Sequence, residues 1–130
     1  MYRLLELNPQ LQCFRGDIDL RMFLYQTTKK RILQDGQTLN DFANAHNYYG
    51  FHRTKTGWAY REWAPSAYQL YLTGDFNDWD PTSHPLTRLE NGDWELLLEG
   101  KDALWEGCRV KTVVEANMTR TEHIPLYARR

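Results

Sequence analysis

The spacing of apolar positions changes character near residue 48. Before it, Leu20, Phe23, Leu24, Thr27 and Arg31 recur at the three-to-four-residue interval of a helix face, which predicts one helix over residues 18–34. Asp17 is placed to cap its start, and Asp35 and Gly36 to stop it, with Gly36 as the left-handed residue after the last turn. Thr38 is placed to cap a second, short helix, because Asp41 lies three residues on and Leu39, Phe42, Ala43 and His46 form a narrow apolar face. Both predicted helices are amphipathic, so each needs a surface to lie against.

From residue 48 the period is two. In WAYREWA, residues 58–64, Ala59, Arg61 and Trp63 alternate with Trp58, Tyr60 and Glu62; in YQLYLTG, residues 68–74, Tyr68, Leu70 and Leu72 alternate with Gln69, Tyr71 and Thr73. Asn91-Gly92 between TRLE and DWELLLE is a hairpin signal, and CRVKTVVE, residues 108–115, supplies a further strand in which Val110, Thr112 and Val114 oppose Lys111 and Val113. Short strands at such spacing predict an immunoglobulin-like antiparallel β-sandwich, mainly β, preceded by one or two α-helices. The expected organisation is a helical segment over residues 1–47 and a sandwich over 48–130.

Composition narrows the function classes. Sixteen Lys and Arg against seventeen Asp and Glu leave a formal charge of -1, which offers no general attraction to phosphate backbones or anionic lipid, so neither nucleic acid nor membrane is an expected partner. No run approaches the roughly 18 apolar residues of a membrane span, and MYRLLELNPQ lacks the apolar stretch of a signal peptide, so a cytoplasmic location is expected. Cys13 and Cys108 stand far apart and outside metal-ligand spacing, and read as reduced thiols with no zinc site or disulfide. Aromatic residues make up 14% of the chain, with five Trp and eight Tyr, a content that favours binding surfaces as well as core.

Residues 74–81, GDFNDWDP, concentrate the candidate chemistry. Asp75, Asp78 and Asp80 suggest a calcium loop, a carboxylate pair, or a turn that presents Trp79. The loop lacks the sixth-position glycine and closing glutamate of a helical calcium site. Glycosidic chemistry needs two carboxylates facing each other across a cleft, and no facing partner is identifiable here. Turn-forming aspartates bonded to local backbone are the favoured reading, with no catalytic residue, no metal and no cofactor expected. The scattered His46, His52, His84 and His123 form no ligand pair.

Taken together, LLELNPQL, LNDFANAHNYYGFHR, EWAPSA, LTGDFNDW, PLTRLENGDWEL and IPLYARR occur in the order found in glycogen-branching enzymes, and the sequence resembles the N-terminal part of that family. GDFNDW alone is similar to family 48 carbohydrate-binding modules at large, including those of debranching enzymes and of the AMP-activated kinase β subunit. The resemblance implies a helical segment, a binding-module sandwich and, in a parent chain, a catalytic (β/α)8 barrel that takes about 250 residues and carries the reacting carboxylates. It therefore implies a non-catalytic piece of a larger 1,4-α-glucan branching enzyme, an α-glucan ligand, and a sheet that stops before its last strand or strands, leaving an unpaired edge.

By resemblance to the kinase-type modules, Trp79 takes the position of a sugar-stacking tryptophan and Lys111 that of a hydroxyl-binding lysine, with Asn77 beside them in the binding set. A second stacking tryptophan has no counterpart, since Asn117 and Met118 stand where it is expected. Covering roughly 80 Å² of ring yields about 2 kcal/mol. Millimolar affinity needs about 4 kcal/mol, so one platform is insufficient without hydrogen bonds or a second ring. Trp63, Trp94 and Phe76 are assigned to the core, and Trp58 and Trp105 are candidates for exposure.

Overall fold

The computed structural model describes residues 2–128, which divide into two compact units, the first ending at Asn44 and the second beginning at Ala45. In the first unit α1 (Arg3–Leu7) and a 3-10 turn (Pro9–Phe14) run directly into α2 (Arg15–Ile32). The predicted start is corrected by this continuity. The chain is already helical before Asp17, so that residue sits in the first turn, where its charge favours the helix dipole, and Phe14 is the capping position without a side-chain cap. The helix also ends at Ile32, with an extended Leu33 after it, while Gly36 adopts its left-handed φ of 82° in the turn beyond. Leu20, Phe23 and Leu24 on α2 are exposed. Thr38 caps α3 (Leu39–Phe42) as expected: the Asp41 N–H donates to Thr38 Oγ1 and the Thr38 N–H to Asp41 Oδ2 at 2.8 Å.

The second unit is an antiparallel sandwich. One sheet has the order β1 (Gly50–Arg53), β2 (Gly57–Trp63), β5 (Asp93–Glu99), β4 (Thr87–Arg88); the other has β3 (Gln69–Gly74), β6 (Val110–Ala116), β7 (Thr119–His123). Residues 84–86 lie along the free side of β3, where Leu72 N–H donates to the His84 carbonyl and Leu86 N–H to that of Leu70. β7 forms the other edge, and all five of its residues are exposed.

Tyr60, Leu70, Leu72, Leu86 and Trp94 pack between the sheets, with Phe51, Phe76, Leu96 and Val114 against them. Tyr60 stacks on Phe51 at 4.3 Å, and its hydroxyl shares a 2.6 Å hydrogen bond with Thr112 Oγ1 of the opposite sheet. Burial pushes the Tyr60 phenol well above its ordinary pKa, so it stays neutral and joins the two layers without a buried charge.

Trp94 is buried as expected, and its Nε1–H donates to the Ala64 carbonyl at 2.9 Å. Trp63 corrects the sequence reading. It is 59% exposed, because it follows the outward phase of β2 with Arg61, while Tyr60 points inward. Asn91 and Gly92 turn the β4–β5 hairpin with φ of 57° and 81°, the left-handed pair that Asn-Gly suits. Asn117 and Met118 do the same between β6 and β7, so the position expected of a second stacking tryptophan is the tip of a hairpin.

The late residues of the unit return to its first strand. The Tyr127 ring stacks on that of Tyr49 at 5.7 Å, and a Cβ on Gly50 would lie 2.6 Å from the Tyr127 carbonyl oxygen. Tyr49 is fixed in turn by its hydroxyl, which donates to Asp93 Oδ1 at 2.7 Å, and that bond is the main cause of a phenol pKa raised to about 12.

Candidate functional site

The candidate site grows from the end of β3. Gly74 pairs with Val110, and a 3-10 turn (Asp75–Asn77) then reverses the chain. Asn77 is the brace of that turn. Its Oδ1 accepts from the Gly74 N–H at 2.9 Å, and its Nδ2 reaches the Leu72 and Asp80 carbonyls and Ser83 Oγ. Every polar atom of this side chain is thus spent within the loop. Asp80 plays a similar part, accepting from the Thr82 N–H and hydroxyl, and those bonds hold its carboxyl below the usual range.

Asp78 and Trp79 follow with φ of 55° and 60°, two successive left-handed residues of which neither is glycine. A bulky side chain there strains the backbone by about 1–3 kcal/mol, and such strain persists only where the surroundings enforce it. The enforcement is visible. The Trp79 N–H donates to the Gly74 carbonyl at 2.9 Å, and the indole Nε1–H donates to Asp75 Oδ1 at 3.1 Å. The ring is 40% exposed.

Asp75 ties this turn to the neighbouring strand. It accepts from the Arg109 backbone N–H and from Arg109 Nε and Nη2, each at 3.0 Å, and the Arg109 guanidinium carbon stands 5.9 Å from the Trp79 ring centroid. The Arg109 side-chain bonds, then its backbone bond, hold the Asp75 carboxyl below the ordinary carboxylate range. A depressed carboxylate contributes its stabilisation above the unfolded-state value and loses it as pH falls through the folded one. Below the ordinary carboxylate range, protonation of Asp75 is therefore expected to release the indole and the guanidinium together. A Trp fluorescence change in acid that is abolished in Asp75→Asn checks this; an identical acid transition in that variant would count against it.

Lys111 lies on β6 opposite Thr73, two residues beyond Arg109, and its Nζ contacts Glu122 Oε2 at 2.8 Å. The structure thus brings Asn77 and Trp79 into one turn and sets Lys111 on the adjoining strand in an ion pair. The sequence reading takes Asp75 as a former of the turn that presents Trp79, and misses Arg109 and the bonds that join the two. Arg109 had one available signal, its alternation with Lys111 in the predicted strand 108–115, although β6 itself begins at Val110, whereas the reach of Asp75 from the end of β3 to the residue before its partner strand β6 has none. At the opposite end of β2, the exposed Trp63 has its indole fixed by a 2.9 Å hydrogen bond to the Asn91 carbonyl, making a second flat aromatic surface. Among the described residues no three His, Cys, Asp or Glu are grouped to hold a metal ion, and no helix is long and apolar enough to cross a membrane.

The chain is 34% identical over 128 residues to the 1,4-alpha-glucan-branching enzyme of Dictyostelium discoideum, covering 95% of this chain and 19% of that protein. Over 119 residues it is 36% identical to the 1,4-alpha-glucan-branching enzyme of Felis catus, covering 88% of this chain and 17% of that one. It therefore spans less than a fifth of the length of these relatives. A Klebsiella pneumoniae pullulanase structure complexed with maltotriose matches 65% of this chain and 9% of its own at 27% identity, with a TM-score of 0.45. The profile of carbohydrate-binding module 48, described as the isoamylase N-terminal domain, matches residues 48–128, which is the sandwich and more than half of the chain. The chain belongs to the carbohydrate-binding module 48 family.

Proposed function

We propose that this chain is a non-catalytic α-glucan-binding and scaffold module of a 1,4-α-glucan branching enzyme, whose barrel transfers α-1,4 chains to α-1,6 branch points in glycogen biosynthesis. The observation that carries the binding claim is Trp79: a half-exposed indole held in a left-handed backbone and pinned by Asp75. A residue that only filled the turn would not require that strain, whereas a fixed ring loses little entropy when a sugar face settles on it. Asn77 acts as the positioning residue for this platform, through the loop bonds already described. Arg109 and Lys111 supply donors for glucose hydroxyls, Lys111 by exchanging its contact with Glu122.

Titration of the chain with maltoheptaose, followed by Trp fluorescence, tests the reading. Binding in the millimolar range is expected, worth about 4 kcal/mol. Trp79→Ala is expected to weaken it at least tenfold, about 1.4 kcal/mol. The urea midpoint of that variant should fall only modestly, since the ring is half exposed and the backbone bond from residue 79 to the Gly74 carbonyl remains after the indole bond to Asp75 is lost. Unchanged binding with lost stability would assign the ring to packing and leave a purely structural module. Trp63 supports a second contact by its exposure and pinned indole, and Trp63→Ala is the matching variant. The parent assignment is tested separately, by whether the coding sequence contains a barrel-sized segment; its absence would favour a stand-alone glycogen-targeting adapter.

A further inference from the structure

The Trp79 turn has a neighbour at the same end of the sandwich. β3 finishes and β6 begins at the Gly74–Val110 pair; β2 begins and β5 finishes at the Gly57–Glu99 pair. Residues 100–109 connect β5 to β6 and so cross from one sheet to the other. Beneath that crossover opens a cavity of about 420 Å³, lined by Phe51, Arg53, Trp58, Trp105, Glu106 and Tyr127 among others. Its size falls in the range of small-ligand sites, roughly 300–1,000 Å³.

The cavity wall is built to keep its shape. The Trp58 indole N–H donates to the Lys101 carbonyl at 3.0 Å, and the Arg53 guanidinium carbon stands 4.9 Å from its ring centroid. A Cβ on Gly57 would sit 1.9 Å from the Leu98 carbonyl oxygen, so the strands at the rim pair closely. The Trp105 side of the wall is turned by a hydrogen bond from the Cys108 N–H to the Trp105 carbonyl at 3.1 Å. Trp105 itself is 50% exposed at the rim. Burial, followed by the nearby Asp75 charge, pushes the Cys108 thiol up, so the thiol itself adds no charge to the lining.

The wall also leads to the Trp79 turn. Cys108 lines the cavity, and the next residue, Arg109, is the one whose backbone and side chain bind Asp75 and whose guanidinium lies over Trp79. From this we infer that the crossover cavity is a second α-glucan subsite, with Trp105 as its aromatic platform, entered by the same oligosaccharide that covers Trp79. The inference rests on the glucan-binding reading of Trp79. Aromatic faces alone would suit any apolar guest. Here they stand with a guanidinium and a carboxylate, from Arg53 and Glu106, and sugars present that mixture of C–H faces and rim hydroxyls. A second ring also supplies what one platform lacks in affinity, without the hairpin tryptophan of the kinase-type modules.

Chain length separates this subsite from its neighbour. Maltotriose is short enough to occupy Trp79 alone, whereas maltoheptaose can reach both, so titration of the parent chain, Trp79→Ala and Trp105→Ala with each sugar distinguishes them. Trp105→Ala is expected to weaken maltoheptaose about tenfold, which corresponds to about 1.4 kcal/mol, and to leave maltotriose unchanged. The Trp105 indole N–H resonance should shift on adding maltoheptaose to the parent chain. If Trp105→Ala binds both sugars as the parent does while Trp79→Ala fails, the subsite is refuted and the binding function stands. If Trp105→Ala weakens both sugars equally, the effect travels through Arg109 and the subsite is refuted again. Absence of maltoheptaose binding by the parent chain removes the function and the subsite together. An apolar dye that enters the cavity and is not displaced by maltoheptaose would assign the cavity to a different guest.

Discussion

Trp94→Ala is expected to lower the stability of the chain by about 4 kcal/mol, the usual cost of deleting a buried large aromatic. The side chain is 2% exposed and belongs to the cluster that joins the two sheets, so little of the volume it leaves can be refilled by local movement. Its truncation also strands the Ala64 carbonyl, which accepts from the indole N–H at 2.9 Å, and removes the ring beneath the Arg88 guanidinium. Domains of this kind hold only about 5–15 kcal/mol in total, so the variant should show a large fall in urea midpoint by circular dichroism. Trp94→Phe isolates the hydrogen bond from the packing and is expected to lose about half as much. A Trp94→Ala chain with an unchanged midpoint would mean that this cluster is not what holds the sandwich closed.

Gly74→Ala is expected to cost about 3 kcal/mol, the upper part of the ordinary range for forcing extra volume into a packed site. The cause is space, since the Gly74 φ of 166° is extended backbone open to any residue. A Cβ there would lie 2.2 Å from the Arg109 carbonyl oxygen and 3.0 Å from Val110 Cα, and both are main chain in the partner strand. Neither can yield without opening the β3–β6 pairing at its end. The same movement displaces Arg109 from Asp75, so the variant should lose the pinning of Trp79 as well as stability, read as increased acrylamide quenching of tryptophan fluorescence. Retention of both properties would show that the strands at this end accommodate a methyl group.

Much of the sandwich was legible because alternation and turn chemistry agree. Asn91-Gly92 demanded a left-handed pair and received one, and the Thr38–Asp41 capping box closed as its spacing required. What alternation alone could not decide was which face of β2 turns inward. Each of its two sets contains a charged residue, Arg61 in one and Glu62 in the other, so polarity did not separate them. The Tyr60 hydroxyl resolved it in three dimensions, by donating to Glu62 Oε2 at 2.8 Å and bonding to Thr112 across the core. Trp63 was misassigned for that reason alone.

The N-terminal helices show a different limit. Arg3–Leu7 and Pro9–Phe14 carry Leu4, Leu7, Leu11 and Phe14 at helical spacing, but Asn8-Pro9 interrupts the run, and α2 begins by continuing the second segment, where cap residues leave no mark. At the site, the sequence singled out Trp79, Asn77 and Lys111 one by one. The connection between them was not legible, because it runs through Asp75 and Arg109, 34 positions apart along the chain. Contacts of that separation follow from sheet register, which short-range patterns do not encode.

The meeting of Tyr49 with Tyr127 works as a clasp between two segments far apart in the chain. Gly50 lies against Tyr127 so closely that no side chain fits between them, and the stacked rings hold the two backbones at that separation. A methyl group at residue 50 would therefore act as a wedge, prising both segments apart at once instead of disturbing one strand alone.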